Sequence, residues 1–208
     1  MKSNNIRTFS TNPDLVEERR NQIVRCARQL FDKKGFDRTT MRDLGKACHM
    51  TSAGLYHYVG KKDDVLSLVI QDGYKIIYAF IREAGEYSEK HSPPEALALA
   101  IDRYYRTVDS HKASALFLSS NYTLFRPSVR LQIDETQENV TAVFHGILKK
   151  GCAGSHFSTE NPWLCAYNIV GLGQLWAIRA NILAKRLTID EYIRLQTKQL
   201  FKQILTRK

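Results

Sequence analysis

Between Thr40 and Lys62 the chain concentrates small, hydroxylic, aromatic and cationic side chains: Thr40, Arg42, Thr51, Ser52, Ala53, Gly54, Tyr56, His57, Lys61 and Lys62. Such a set is poorly made for breaking bonds and well made for reading a polyanion. Small groups let a backbone approach base edges, hydroxyls, a phenol and an imidazole hydrogen-bond to bases or phosphates, and cations neutralise phosphate charge. Catalytic readings find no support elsewhere. No G-x-S-x-G, phosphate-binding loop, H-E-x-x-H or dinucleotide-binding glycine pattern is present. His91, His111, His145 and His156 are scattered, with no nucleophile at a telling spacing. Cys26, Cys48, Cys152 and Cys165 lie far apart, form no C-x-x-C pair and read as reduced thiols of a cytoplasmic protein. The expectation is therefore no enzyme, no metal and no cofactor.

Recognition by these residues requires helices to present them. Thr40 with Asp43 three places later is a helix-start signal, and Leu44 and Ala47 supply that helix's inner face. A turn falls at His49 and Met50, and Thr51 caps a second short helix through Leu55 to about Tyr58. Two helices of this length joined by a tight turn make a helix-turn-helix, in which the second helix enters the major groove. Neither is long enough to stand alone, so both must dock on the preceding helix. That helix is expected over residues 14–34, with Val16, Ile23, Cys26, Ala27, Leu30 and Phe31 at helical spacing, Pro13 at its start and Gly35 as its stop. For Leu44, Met50, Leu55 and Tyr58 the better assignment is core, because they repeat toward one side. Arg42 and His57 fall on the opposite face, where solvated side chains are the alternative. Lys33, Lys34, Arg38 and Lys46 read as surface charges.

The rest of the chain is helical text. A longer helix is expected from Lys61 or Lys62 to about Ala84, one behind Ser92, Pro93 and Glu95, one over residues 112–122, and a long one from the break at Arg126 and Pro127 to Gly151. After a loop to Asn161 come helices over residues 162–184 and 189–205. The sum is nine helices and no strand: an all-α protein with a helix-turn-helix domain over 14–61 and a second helical domain over 62–208. The run from Trp163 to Ala184 is long enough to span a bilayer, but Asn168, Gln174, Arg179 and Asn181 within it argue for a buried helix and against a membrane protein. Met1 to Asn12 is polar and reads as no signal peptide. The formal net charge is +10, and residues 1–70 hold 13 basic and 8 acidic side chains, about twice the positive excess per residue of the remainder. Nucleic acid is the partner such a bias suits.

Over about residues 16–70 the sequence resembles the DNA-binding domain of the TetR family of bacterial transcription regulators. The matching positions are Phe31, Gly35 and Phe36 at the end of the first helix, Thr40 opening the second, Gly54, Leu55, Tyr56 and Tyr58 in the recognition helix, and Lys62 before the fourth. Departures fall at Gly45, where the family usually has Ala, and at His49, Met50 and Thr51, where it usually has Gly-Val-Ser. Thr51 keeps the capping oxygen, Met50 keeps an apolar plug, and His49 tolerates a left-handed backbone better than most residues.

The resemblance implies dimerisation through the last two helices and a small-molecule effector in the C-terminal domain. Independently, the helix from Trp163 is apolar on nearly all sides, more than one chain easily buries, which favours a two-fold pairing. Effector candidates are the aromatic residues Tyr105, Phe117, Tyr122, Phe144 and Trp176 with the cations Arg126, Arg130 and Arg179, which fit an apolar or amphipathic ligand with an acidic or phosphorylated end. The segments around Gly54 to Lys62 and Arg126 to Gly151 are similar to regulators that answer to acyl-coenzyme A, with multidrug or aromatic-compound sensing as the alternative. Together these imply a repressor that binds a pseudo-palindromic double-stranded DNA operator as a homodimer and is released by its effector, with the helix after Lys62 as the lever. The alternative is an effector-independent activator or architectural protein of the same fold.

Overall fold

The computed structural model describes residues 12–205; the N-terminal segment that reads as no signal peptide lies, up to residue 11, outside the described residues. Ten α-helices form among them. In the first compact unit, which runs to Tyr74, α1 (Pro13–Lys34) opens on Asn12, whose Oδ1 accepts from the Asp14 and Leu15 amides at 3.1 and 3.2 Å. It closes on Gly35, held at φ 82° while its N–H reaches the Phe31 carbonyl at 2.8 Å. That backbone conformation costs a residue with a Cβ and leaves glycine unstrained. The buried face of α1 is Val16, Ile23, Val24, Ala27 and Phe31; α1 packs on α2 (Met41–Ala47) and α2 on α3 (Ser52–Tyr56), with Leu44 and Leu55 both fully buried. The first turns of α4 (Lys62–Lys90) add Val65, Leu66, Val69 and Ile70 to this core.

The second unit starts at Lys75, inside α4. It holds α5 (Pro93–Ser110), α6 (Lys112–Asn121), a 3-10 turn over Tyr122–Leu124, α7 (Pro127–Ala153), α8 (Pro162–Ile178), α9 (Ala180–Leu183) and α10 (Ile189–Ile204). Helices α5, α7 and α8 pack pairwise around Tyr104, Tyr105, Phe144, Ile147 and Val170. Three phenols tie this core to one turn of α8: Tyr104 donates to the Val170 carbonyl at 3.5 Å, Tyr105 to Ile169 at 3.1 Å and Tyr192 to Leu172 at 2.8 Å. Burial pushes the Tyr104 and Tyr105 hydroxyls far above their ordinary range, so both remain neutral donors.

Three boundaries differ from the sequence reading. The helix expected to end near Ala84 continues to Lys90, carried past Gly85 by good helix formers and a Glu86–Lys90 pair one turn apart, and stops at Ser92–Pro93. Gly151 does not end α7. Its missing side chain makes room for the Phe157 ring, which occupies the space a Cβ would fill, and α7 runs on to Ala153. The expected 162–184 helix breaks at Arg179, which raises the count from nine to ten. Past Ala177 the segment has no buried side chain to hold it, and α9 is a short turn with none. No helix among the described residues is long and apolar enough to cross a membrane.

Gly173 tests the packing of α8. A Cβ there would stand 2.6 Å from the Tyr104 ring and 3.0 Å from that of Tyr105. Gly173→Ala is expected to cost about 1–3 kcal/mol, read as a lower urea midpoint at unchanged slope. Gly85→Ala, with nothing within 4 Å of the new Cβ, is expected to be neutral or to stabilise by about 0.5–1 kcal/mol.

Candidate nucleic-acid interface

The site is built on α3, five residues long. Thr51 caps it, its Oγ1 accepting from the Gly54 amide at 3.0 Å. Leu55 and Val59, both fully buried, fasten the inner side. That arrangement turns Thr51, Ser52, Ala53, Tyr56 and His57 outward, all exposed, with Gly54 half-buried. The four expected core residues divide evenly: Leu44 and Leu55 are fully buried, Met50 and Tyr58 half-buried.

The turn before α3 is tight for a reason visible at Gly45. A Cβ there would lie 2.9 Å from the Met50 carbonyl oxygen, a backbone atom that cannot swing aside. The Met50 amide donates to the Gly45 carbonyl at 2.8 Å, and His49 adopts φ 55°, as its position in the turn suggested. Gly45 is therefore the residue that lets the turn close. Helix α1 then holds the far ends of both short helices. Gln22 Nε2 donates to the Cys48 carbonyl at 2.8 Å, the Cys26 thiol to the Ala47 carbonyl at 3.3 Å, and Arg20 Nε to the Tyr58 carbonyl at 3.1 Å. These groups satisfy carbonyls that helix ends leave without intrahelical partners. Nothing in the pattern of α1 marks Arg20 or Gln22 for this work, because their partners lie 38 and 26 residues away.

The cations divide by what they touch. Arg42 and Lys61 are exposed, on α2 and just before α4. Lys62 reaches back to the α1–α2 connection, its Nζ donating to the Phe36 and Asp37 carbonyls at 2.9 and 3.2 Å and lying 4.3 Å from the Phe36 ring centroid. The ammonium thus braces the fold from inside the motif. Backbone N–H groups at the start of α4 are also engaged: Gly60 and Lys61 donate to Asp64 Oδ2 at 3.0 and 3.1 Å. Lys34 is bound to Asp43 at 2.6 Å, and Arg38 Nε closes on the Lys34 carbonyl at 2.8 Å. Thr40 is exposed and serves as the α2 cap. Its Oγ1 accepts from the Asp43 amide at 3.1 Å, while its own amide and hydroxyl donate to Asp43 Oδ2 at 2.9 and 2.7 Å. The Lys34 ammonium and these Thr40 donors hold the Asp43 carboxyl well below the usual carboxylate range.

The effector candidates do not converge on one cavity. Phe144 is fully buried between Phe80 and Tyr104, with ring centroids at 6.0 and 5.7 Å. Tyr105 and Trp176 flank Tyr192 at 5.8 and 4.9 Å, and Trp176 Nε1 donates to Asp109 at 2.9 Å. Phe117 packs on Phe125 at 5.9 Å. Tyr122 donates to the Asp134 carboxylate at 2.7 Å, one helical turn from Arg130; Arg126 stands at the α7 cap, and Arg179 is exposed at the α8–α9 break. A groove of about 850 Å³ does open in this unit, with α5 as its floor and α8 and α10 as its walls; of the eight candidates only Tyr105 reaches it.

With this geometry in view, three comparisons bear on the chain. Residues 23–69 match the model for bacterial regulatory proteins of the tetR family. The HTH-type transcriptional regulator HbdR of Aromatoleum sp. (strain CIB) is 25% identical over 189 residues, 90% of this chain and 81% of the relative. The HTH-type transcriptional repressor KstR2 of Rhodococcus jostii is 23% identical over 68% of this chain and 69% of its own. Among solved structures, the ketosteroid transcriptional regulator KstR2 of Mycobacterium tuberculosis superimposes with a TM-score of 0.76 at 17% identity, covering 91% of this chain and 96% of that one. AibR, in complex with isovaleryl coenzyme A and operator DNA, gives 0.70 at 18% identity, covering 89% and 99%.

Two measurements check the local argument. Gly45→Ala is expected to destabilise the first unit by about 1–3 kcal/mol, seen as an earlier denaturant transition. Because Asp43's pKa is depressed in the folded state, its contribution is complete above the unfolded value of about 4 and is lost as the pH falls. Between about pH 6 and about pH 3 the wild type should therefore lose more stability than Asp43→Asn, measured as the difference in urea midpoints.

Proposed function

Because the chain belongs to the TetR family of regulators, we propose that it is a transcriptional repressor that binds a pseudo-palindromic operator as a homodimer and is released by a small amphipathic effector, an acyl-coenzyme A being the class that fits best. The observation that carries the DNA reading is the division of labour on α3, where Leu55 faces the core and Thr51, Ser52, Ala53, Tyr56 and His57 face out. In this reading Ser52, Ala53 and Gly54 approach base edges, and Arg42 reads or flanks them. Thr51, Tyr56, His57 and Lys61 meet the phosphate backbone, Thr40 serves through its α2 cap, and Lys62 sets the geometry of the α1–α2 connection and adds to the local positive field.

Dimerisation through α8 and α10 supplies the second half-site. A lone helix-turn-helix binds weakly, and a two-fold protein reads a two-fold site. The effector class rests on the chain's likeness to AibR, which was solved with isovaleryl coenzyme A. Helix α4 contributes residues to both compact units, which makes it the lever. An effector that prefers one arrangement of the units weakens operator binding by the same factor by which operator weakens effector binding.

Gel shifts on DNA flanking the chain's own gene test this. A dimer making about 6–10 phosphate contacts should lose on the order of 10³–10⁵ in affinity between about 50 and 200 mM salt. Tyr56→Ala should weaken binding to all sequences, whereas Arg42→Ala and Ser52→Ala should change base preference at a cost of about 1–3 kcal/mol each. Adding a series of acyl-coenzyme A thioesters, isovaleryl-coenzyme A first, should release the operator. Operator binding that is intact and unmoved by the whole series would point instead to the effector-independent regulator.

A further inference from the structure

Two of the four cysteines meet inside the first compact unit, at the end of α2. The Cys26 Sγ lies 3.3 Å from the Ala47 carbonyl oxygen, and the next residue is Cys48, the fully buried C-cap of α2. Across a planar peptide that oxygen stands about 2.8 Å from the following Cα, which puts the Cys26 sulfur within about 6 Å of the Cys48 Cα. Both residues are free thiols, hydrogen-bonded to each other. Burial and the neighbouring Cys26 push the Cys48 thiol up to about 12, so it stays protonated. Cys26 is half-buried and is the sulfur that a small oxidant reaches first. A hydroxyl would hold the Ala47 carbonyl at least as well, because a thiol is a weak donor. What sulfur adds at this position is redox chemistry.

Resting on the operator-binding reading above and adding a control to it, we propose that Cys26 and Cys48 are an oxidisable pair: a peroxide converts them to a disulfide between α1 and the end of α2, and that disulfide weakens operator binding. In the first step the Cys26 sulfur attacks one peroxide oxygen. An S–O bond forms, the O–O bond breaks, and hydroxide leaves with the thiol proton as water. In the second step the Cys48 sulfur attacks the sulfenic sulfur. The S–S bond forms, the S–O bond breaks, and the hydroxyl leaves with the Cys48 proton as a second water. The two thiols lose two electrons, the peroxide gains them, and a dithiol reductant reverses the change.

Closing this bond alters the helix-turn-helix in two ways. It consumes the Cys26 proton, so the Ala47 carbonyl loses its donor from α1. It also draws the two sulfurs from contact distance, about 3.5–4 Å, to a bond of about 2.05 Å, a displacement of more than about 1 Å at the end of α2. The connection to α3 has no slack to absorb that displacement. Cys48 is followed by His49 at φ 55° and by Met50, whose amide donates to the Gly45 carbonyl at 2.8 Å. The Met50 carbonyl oxygen already stands where a Cβ on Gly45 would meet it at 2.9 Å. On the α1 side, Gln22 Nε2 holds the Cys48 carbonyl at 2.8 Å. The shift therefore passes to Thr51 and the start of α3, the residues that approach the DNA. A misplacement of about 1 Å takes a hydrogen bond of about 2.9 Å out of range.

The test treats the reduced full chain with a small molar excess of hydrogen peroxide and reads it twice, by mass spectrometry of an unreduced tryptic digest and by gel shift on the DNA flanking the chain's own gene. The expected product links the peptide carrying Cys26 to the one carrying Cys48, lighter by two hydrogens. The operator dissociation constant should rise about tenfold or more, and dithiothreitol should reverse both changes. Cys48→Ala removes the resolving sulfur and leaves the Cys26 bond to Ala47 in place. It should bind operator as reduced wild type does, form no linked peptides, and accumulate a sulfenic acid at Cys26 that dimedone traps. If that variant does not fold, the wild-type cycle of oxidation and reduction decides alone. Replacing Cys152 and Cys165, both in the second unit, by Ser should leave the response intact. A peroxide-treated wild type without linked peptides overturns the pair, and linked peptides with unchanged operator affinity overturn the control. Reduced wild type that ignores the DNA overturns the operator reading instead, while the digest still decides whether the pair forms.

Discussion

A helix of five residues cannot hold its own shape, and the first unit is organised around that constraint. Nucleation leaves so short a segment with almost no intrahelical bonds to set against the backbone entropy it loses. What holds α3 comes from outside it. Thr51 caps its start, Leu55 and Val59 anchor its inner side, and Arg20 holds the Tyr58 carbonyl just beyond its end. Gln22 does the same for the end of α2. With the packing carried by buried residues and the ends held by α1, the outward side chains of α3 have little structural duty left. A surface made for contact with a partner needs that separation of roles.

The same economy governs charge. A unit rich in lysine and arginine repels itself unless some cations are neutralised or tied down, and here several are given structural work. Asp43 gathers Lys34 and both donors of Thr40, Asp64 caps the entry to α4, and the Lys62 ammonium is shared between two carbonyls and a phenylalanine ring. Arg42 and Lys61 stay exposed. The net positive field of the motif thus comes from fewer mobile charges than the composition suggests, with the rest spent on fixing backbone.

In the second unit the demand falls on α8, which has two apolar sides. One is bound inward by three phenols and the close approach of Tyr104 and Tyr105 to Gly173. The other carries Trp163, Tyr167 and Leu175, all exposed. A helix apolar all round belongs in an interior, and within one chain only half of this one is in an interior. The two glycines mark the two sides: Gly173 faces the rings of its own core, and Gly171 faces open space.

The sequence by itself determined the all-α class, the caps and most of the helix boundaries. The signals involved, at Thr40, Thr51 and Ser92, act within four residues along the chain, the distance over which sequence and geometry are nearly the same thing. The outward positions on α3 were legible for the same reason, since Leu55 fixes the face and its neighbours follow. Only the tertiary structure decided the duties of Arg20, Gln22 and Lys62, whose partners lie 25 to 38 residues away. It likewise decided that Gly151 accommodates Phe157 inside a helix, and that Tyr105, Phe144 and Trp176 are spent on the core. A pattern of residue types records which side of a helix is apolar; which atoms meet across helices is settled when side chains from distant segments compete for the same space.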